Sequence, residues 1–523
     1  MNRMTSRSAA PAAALALALA VAGPGVAQQT PRAQQPAPPP PPPVQPLPSG
    51  PPLSMEQAVA VAREANPDLL QQRNDTRSAR AAVRESRLDF LPSASVSGGL
   101  GYTAPGEQRV GAVQLRQSDP AYYSSYYSLD LNYSLSGAKL MQPRVARAQE
   151  RATRQRVSGY EANLVSTVRQ SYLAALQAWE QAQQAEREVA RTQEHERLAR
   201  ARLEVGAGTP LDLRRAEVQR GQAQVALLQR RNDYQTALLR LGLVMGREIP
   251  ADTRLTSTFA LFEPQWTVDE LEQMALAGNP NLLAARATAE AARTGVRAAR
   301  TQYLPSLSMN VGYRGSVYSA SDLSSFETSA LNNTAESFRS CNYNNQLGAL
   351  VGAAPADCSK YDVSNPAVAA AVRNAIRSSN PAFPFGFRTQ PLQASLGLSL
   401  PLFNGYARER QVEEARVQAE DAQLAVRSQE LKLRADLGAA LLATQTAFRT
   451  ARLQDQVVDR ATEELRLAQE RFRFGVASSV EVTDAQTSLA EAEQARIDAV
   501  YNYHKSLAAL EALVGRPLRQ PGT

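Results

Sequence analysis

The sequence predicts an α+β membrane protein with an internal duplication, in which membrane-spanning strands are combined with unusually long helices. Three observations predict this class. Two sets of motifs recur at fixed offsets, four segments alternate apolar with small polar residues, and two helical runs are far longer than the helices of ordinary globular proteins. A duplication of this kind decides the whole fold.

The duplication is visible in two sets of motifs. Asn66-Pro67 and Leu91-Pro92 recur together, at one offset, as Asn279-Pro280 and Leu304-Pro305. Arg202-Leu-Glu-Val-Gly206 recurs at a larger offset as Arg471-Phe-Arg-Phe-Gly475. The shift from Asn66 to Asn279 is called the front offset below, and the shift from Gly206 to Gly475 the rear offset. Each copy has the predicted order helix, strand, strand, long helix, turn, helix.

The two ends of the chain lie outside the repeats. Arg3 and Arg7, followed by an Ala- and Leu-rich run and Gly25-Val26-Ala27, predict a signal peptide at residues 1–27. The Pro/Gln-rich stretch after it predicts an extended tether, because such a composition cannot bury a core. The predicted order after the signal peptide is tether 28–52, first structural repeat 53–250, inter-repeat linker 251–267, second structural repeat 268–516 and C-terminal tail 517–523.

Four segments predict strands because apolar residues occupy alternate positions, with Ser, Gly, Asn or Asp between them. They lie at about 93–103, 127–136, 306–315 and 393–402. A small sheet covering a soluble core is one interpretation. The export signal, a length that suits a tilted membrane strand, and the small polar opposite face favour a β-barrel.

Four strands cannot close a barrel, and lipid tolerates no open sheet edge. Copies of the chain must therefore complete it together. Two copies give eight strands and a filled interior, whereas three give twelve strands and room for an aqueous passage. Transport requires the trimeric 12-stranded barrel.

The loop between the last two strands holds Cys341 and Cys358, the only cysteines of the chain. This loop is much longer than its counterpart in the first repeat, so it carries an insertion. In an oxidising compartment we expect a disulfide that closes a surface loop outside the cell, the alternative being two free thiols. Two cysteines are too few for a structural zinc site.

Two runs, from about 139 to 205 and from 406 to 474, lack proline after Pro143 and are rich in Ala, Gln, Glu, Arg and Leu. At about 1.5 Å per residue each spans roughly 100 Å, which favours a coiled coil. A fibrous rod is the alternative. Glycines followed by a Thr or Ser N-cap predict hairpin tips near 206–210 and 475–479.

Together these features resemble the TolC-like outer membrane efflux proteins over residues 53–516. The resemblance implies a homotrimer in outer membrane lipid of a Gram-negative bacterium. Its 12-stranded transmembrane β-barrel continues as a long periplasmic α-helical coiled-coil barrel that docks onto a periplasmic adaptor protein and an inner-membrane transporter. No cofactor and no metal are implied.

The resemblance assigns a periplasmic gate to Glu481 and Asp484, which match acidic residues lining the constriction of family members. Three copies would form a ring of carboxylates that attracts cations. The alternative is that these acids only complement the dipole of the helix that follows the tip. One family member has an arginine two residues after the tip glycine that helps to lock the closed state, and here that position is Ala477.

The resemblance also assigns the adaptor contacts to the two tips. A simpler interpretation is that the tip glycines only turn the chain, and both can hold. The residues are Val205, Gly206, Ala207, Phe474, Gly475 and Val476.

Catalysis and nucleic-acid binding are not expected. His195 and His504 lie in different helical segments, where each is interpreted as solvated or at the edge of the core. The chain has no nucleophile elbow, zinc-protease motif or phosphate loop. A net charge of +7 without a basic stripe argues against nucleic acid.

Three functions remain open at this point. The first is the passive exit duct for drugs or other small molecules. The second is the same duct serving type I protein secretion. The third, of another class, is a periplasmic coiled-coil scaffold carrying a soluble sheet.

Overall fold

The computed structural model describes residues 50–110, 113–119 and 121–519. The predicted signal peptide, residues 28–49 of the predicted tether and residues 520–523 of the tail lie outside the described residues. The described residues all belong to one compact unit.

The described helices and strands follow the predicted order, with additional elements in the loops. The helices are α1 Met55–Ala65, α2 Pro67–Leu88, α3 Gly137–Glu204, α4 Pro210–Met245, α5 Val268–Gly278, α6 Pro280–Arg300, α7 Ser324–Leu350, α8 Pro366–Ser379, α9 Ala407–Arg473 and α10 Ser479–Val514. The strands are β1 Pro52–Leu53, β2 Ser93–Thr103, β3 Gly106–Val110, β4 Val113–Asp119, β5 Tyr122–Leu135, β6 Arg254–Leu255, β7 Ser306–Ala320, β8 Arg388–Thr389 and β9 Gln393–Ser399.

The first helix of each repeat, predicted as one element, consists of two helices joined at an Asn-Pro pair. Asn66 and Asn279 have extended backbone, because the residue before a proline is disfavoured in the helical region. Each asparagine then caps the following helix, since its side chain accepts a hydrogen bond from the backbone N–H three residues on. Proline at the first helical position requires no N–H donor there.

Both joints are tied to the end of the last helix of their repeat. Asn66 Nδ2 donates to the Val244 carbonyl at 2.9 Å, and Asn279 Nδ2 donates to the Leu513 carbonyl at 2.8 Å. Val244 and Leu513 are related by the rear offset. The same contact therefore occurs once in each half of the chain.

We expect Asn66→Ala and Asn279→Ala each to lower the free energy of unfolding by about 2 kcal/mol. Each substitution removes a helix cap and leaves a carbonyl without its donor, at about 1 kcal/mol apiece. Thermal unfolding followed by the helical circular dichroism signal measures the effect. Asn365→Ala is the control, since Asn365 caps α8 alone. An equal loss of stability in this variant would show that the hydrogen bonds to the Val244 and Leu513 carbonyls contribute nothing.

Further contacts recur with the same offsets. Arg73 donates to the Arg63 carbonyl and contacts Glu161, while Arg286 donates to the Leu276 carbonyl and contacts Glu430. The front offset relates Arg73 to Arg286, and the rear offset relates Glu161 to Glu430. The two offsets thus identify structurally equivalent positions in the two halves.

The four long strands form an antiparallel sheet in the order β2, β5, β7, β9. The register aligns apolar residues across neighbouring strands, so that Val96 lies opposite Leu129 and Leu129 opposite Tyr313. One residue further along each strand, Ser95 lies opposite Asp130 and Asp130 opposite Gly312. One face of the sheet is therefore apolar and the other polar.

Three strand ends differ from the predicted ends. β7 continues beyond the predicted 315 to Ala320, because its last residues pair with the start of β5. β5 begins at Tyr122, earlier than the predicted 127, because Tyr122–Tyr127 pairs with β2 and β7 although its sequence does not alternate. β9 ends at Ser399, before the predicted 402. Pro401 explains the early end, since proline has no N–H for the ladder and restricts the residue before it.

The loop between β7 and β9, predicted only as polar, folds into α7 and α8. A disulfide joins Cys341 of α7 to Cys358, with 5.8 Å between their Cα atoms. Asn345 exchanges two 2.8 Å hydrogen bonds with the backbone of Ala356 beside it. The insertion is therefore an ordered cap above one end of the sheet.

The long helices lie side by side. α3 packs against α2, α4, α6 and α10, and α9 packs against α6 and α10. The lateral order is α2 with α4, then α3, then α6 with α10, then α9, which leaves the α2/α4 pair and α9 at the two edges. α3 has 68 residues, a length of about 100 Å.

The repeats share a buried centre where the short helices and the linker meet α3. Tyr172 is fully buried, and its hydroxyl donates to the Leu53 carbonyl at 2.8 Å and accepts from the N–H groups of Thr256 and Ser257. β1 pairs beside it with β6 in the linker region. Among the described residues, no helix is apolar over a length sufficient to cross a membrane.

Candidate functional site: the hairpin tips

The first tip joins α3 to α4 through a left-handed glycine. Gly206 has φ of 75°, a conformation that costs other residues energy. Thr209 caps α4 by accepting from the Asp212 N–H, and the Asp212 carboxylate accepts from the Thr209 N–H in return. The turn is thus fixed by reciprocal hydrogen bonds between Thr209 and Asp212, the cap residue and the third residue of α4.

The second tip joins α9 to α10 in the same way. Gly475 has φ of 77°, and Ser478 accepts from the Glu481 N–H at 3.3 Å. Between the two hairpins, the Thr483 hydroxyl lies 3.0 Å from Gln219 Oε1. The structure therefore places the two predicted tips beside each other.

The tips expose apolar side chains at their ends. Val205 is 78% exposed, Phe474 81% and Val476 70%. Gly206, Ala207 and Gly475 are exposed as well. Each tip therefore presents a small apolar surface that its own helices do not cover. A contact site for another helical hairpin requires such a surface.

Both predicted gate residues are exposed on the first turns of α10. Glu481 Oε2 lies 3.3 Å from Arg471 Nη1 in a half-exposed ion pair. Asp484 follows three residues later, on the same helix face. The position equivalent to Glu481 in the first repeat is Asp212, which serves as a cap, so the geometry is compatible with both the gate and the cap interpretation.

Arg202 ties the two tips together, a role that sequence reasoning missed. Its Nη1 donates to the Phe472 carbonyl and its Nη2 to the Ala207 carbonyl, the latter at 3.0 Å. Its guanidinium also lies 4.3 Å from the centre of the Phe472 ring. Only the repeated Arg-x-x-x-Gly motif hinted at this residue, because its partner lies 270 positions away.

Phe472 receives this contact because it is itself held in an apolar cluster. The ring is 4% exposed and packs with Leu465, Val482 and Leu489. His195 packs against it in a tilted arrangement, with 5.7 Å between ring centres. Burial lowers the pKa of His195, while the charge of Asp212 acts in the opposite direction.

The interpretation of the two histidines as solvated or at the edge of the core is wrong. His195 is 5% exposed and His504 2% exposed, in α3 and α10 respectively. Within residues 50–110, 113–119 and 121–519, no group of three or more His, Cys, Asp or Glu side chains is arranged to hold a metal ion.

Comparison with known proteins gives consistent matches over most of the chain. The sequence model of the family "Outer membrane efflux protein" matches residues 58–247 and 364–516. The pyoverdine export outer membrane protein OpmQ of Pseudomonas putida is 25% identical over 476 residues, covering 88% of this chain and 86% of that protein.

Two solved outer membrane channels have the same fold. The Campylobacter jejuni CmeC channel superposes with a TM-score of 0.64 at 15% identity, covering 88% of this chain and 85% of CmeC. The open state of the Neisseria gonorrhoeae MtrE channel gives 0.63 at 17% identity, covering 89% of each chain.

Proposed function

The chain belongs to the outer membrane efflux protein family, and from this premise we propose that it is the exit duct of a tripartite efflux system. It is an outer membrane protein that extends into the periplasm. In the proposed assembly three copies form a homotrimer, whose 12-stranded barrel continues as a periplasmic helical tunnel. The transport step is passive, and the proposal assigns no catalytic residue.

The register of the sheet is the observation that carries this proposal. Apolar residues align across all four strands on one face, where Val96, Leu100 and Leu398 are more than 70% exposed. A single chain has no partner for these side chains. Lipid on this face and water on the other would satisfy both, as in a transmembrane barrel.

Internal duplication supports the trimer. β2 and β9 are the outer two of the four long strands, and an unpaired edge is costly in lipid. Three copies with two equivalent units each would pair every edge and place six similar units around one axis. Twelve strands leave an aqueous passage, which eight do not.

We propose small molecules as the cargo. The relative named for pyoverdine export supports this choice over type I protein secretion. The proposed partners are a periplasmic adaptor protein, contacting the apolar tips around Val205 and Phe474, and an inner-membrane transporter that supplies the energy.

The proposed periplasmic gate consists of Glu481 and Asp484. If about six carboxylates surround the axis, they favour cations at the constriction. We expect Glu481→Ala combined with Asp484→Ala to lower the cation-to-anion permeability ratio by roughly threefold and to weaken block by divalent cations. The reversal potential in a salt gradient across a planar bilayer measures the first effect.

Asp212→Ala is the matched control, because Asp212 occupies the position of Glu481 in the first tip. It should leave the permeability ratio unchanged while destabilising the start of α4. Equal effects from both tips, or none from either, would remove Glu481 and Asp484 from the gate.

A further inference from the structure

A pair of solvent-exposed amides joins α3 of the first repeat to α6 of the second. Asn281 on α6 donates through Nδ2 to Asn163 Oδ1 on α3, at 3.2 Å. The reverse pairing of the same groups measures 3.5 Å. This contact marks where the second repeat docks onto the first.

The residues equivalent to this amide pair, found with the two offsets, lie at the two edges of the helical layer. The rear offset leads from Asn163 to its equivalent in the second repeat, Lys432 on α9. The front offset leads from Asn281 back to its equivalent in the first repeat, Asp68 on α2. Both side chains are exposed. A cation and an anion therefore occupy the edge positions that correspond to the amide pair between the repeats.

Asp68 contacts a tyrosine of its own chain. The hydroxyl of Tyr160 lies beside it, and burial first, then the Asp68 carboxylate, raises the pKa of this tyrosine. As an acid in the first turn of α2, Asp68 also complements the helix dipole. Neither contact involves Lys432, which lies at the opposite edge of the helical layer.

Apolar positions differ in exposure between the interface of the two repeats and the two edges. Leu173 on α3 and Ala508 on α10 are 0% and 1% exposed, and both belong to the cluster formed where the two repeats meet. Their equivalents at the edges are Leu442 on α9 and Leu239 on α4, 66% and 72% exposed. These positions are thus buried wherever a neighbouring repeat is present.

The alignment of α3 with α10 fixes which edge residues would meet. The two helices are antiparallel, since Lys505 Nζ donates to Gln177 at 2.6 Å and Gln184 Nε2 donates to Glu493 at 3.2 Å. Ala508 lies one turn from Lys505, as Leu173 lies one turn from Gln177. The same alignment, transferred to the edges, places Leu442 opposite Leu239.

A second apolar pair follows from the same transfer. Gln184 and Ile497 are 6% and 5% exposed, whereas their equivalents Leu453 and Leu228 are 61% and 60% exposed. Both edge positions are leucines, whereas the equivalent positions between the two repeats are a glutamine and an isoleucine. The edges are therefore complementary in charge and in apolar surface.

We propose that a second copy of this chain docks its α2/α4 edge onto α9, with Lys432 paired to Asp68 of the neighbouring copy and Leu442 packed on Leu239 of that copy. The interface between chains thus repeats the interface within the chain, with an ion pair in place of the two asparagines. This inference rests on the homotrimer of the proposed function and identifies the residues that hold it together.

Charge reversal tests the pairing in the full-length protein purified in detergent. Lys432→Asp or Asp68→Lys alone brings like charges together in each interface, so the protein concentration at half-dissociation of the trimer should rise by roughly tenfold. The double exchange should return it to within roughly threefold of the original. Native mass spectrometry over a dilution series measures both, with Glu336→Lys in α7 as the control far from the interface.

Cysteine cross-linking gives an independent test that needs no change in stability. Asp68→Cys with Lys432→Cys should give a covalent three-chain ladder on oxidation. Asp75→Cys with Lys432→Cys should not, because Asp75 lies about 10 Å further along α2. Either single cysteine should also remain uncross-linked.

The outcomes separate the pairing from the trimer. Rescue by the double exchange, or a ladder from the Asp68 and Lys432 pair alone, supports the proposal. A trimer that is unaffected by charge and gives no ladder overturns the pairing and leaves the proposed function standing. A monomer in native mass spectrometry, with the original sequence, overturns both.

Discussion

Replacing Arg202 with methionine should release the two tips from each other and shift the channel toward its open state about 100-fold. Arg202 donates to carbonyls at both tips, Phe472 and Ala207, and covers the Phe472 ring. Two charge-assisted hydrogen bonds and a cation–π contact together contribute about 3 kcal/mol, which corresponds to that factor. Open probability in planar bilayers is the measurement.

The chain contains its own matched control for this experiment. Arg471 occupies the same position in the second tip but makes a half-exposed ion pair with Glu481. Because such pairs contribute about 0.2–1 kcal/mol, Arg471→Met should change the open probability less than about sixfold. Arg202→Lys should behave like Arg202→Met, since one ammonium group cannot reproduce the two-carbonyl fork. A larger effect from Arg471→Met would show that Arg202 does not hold the tips.

The second large effect is a loss of stability in acid caused by His504. Burial, with a smaller contribution from the Arg519 charge, lowers the pKa of His504 to about 4. Its ring lies between Tyr503 and Phe259, 5.0 and 5.4 Å from their centres. The unfolded chain binds a proton near pH 6.5 while the folded chain does not. Above about pH 6.5 His504 therefore leaves the free energy of unfolding unchanged. As the pH drops to about 4, its protonation in the unfolded chain lowers that free energy by about 3 kcal/mol.

His504→Gln removes this titration with a residue that the other repeat already uses, since the equivalent position is Gln235. The midpoint of thermal unfolding of the detergent-solubilised protein should fall less for the variant than for the original between pH 7 and pH 4.5. Carboxylates titrate in both proteins, so the difference between them is the signal. Parallel pH curves would show that His504 binds its proton at the same pH in the folded and unfolded chains.

The sequence predicted the elements whose signals are local. Alternation around Val96 and Leu131 identified strands, and Gly206 and Gly475 identified the tips. β5 was found only from 127, because the preceding Tyr-Tyr-Ser-Ser-Tyr-Tyr has no period of two. The break at each Asn-Pro pair was also missed. Its motif was recognised, but its effect on the backbone was not.

The remaining features depend on contacts that no local pattern encodes. The tie from Arg202 to Phe472 spans 270 positions. The burial of His195 and His504 was missed because these helices use alanine on many faces, so large apolar residues do not mark the inner side. Positions in one repeat nevertheless predict positions in the other, which is why Gln235 and Arg471 provide controls.

The helical cap between β7 and β9 has a consequence for how this protein can change. The chain leaves the sheet after Ala320 and returns at β8, Arg388–Thr389, and at β9, yet β7 and β9 pair in register from Ser306 to Gly312. Closing a longer loop costs little additional free energy. The disulfide, the Asn345 hydrogen bonds and an ion pair between Arg377 and Glu327 hold this loop together. This loop can therefore take up new sequence while the two strands that it connects keep their register.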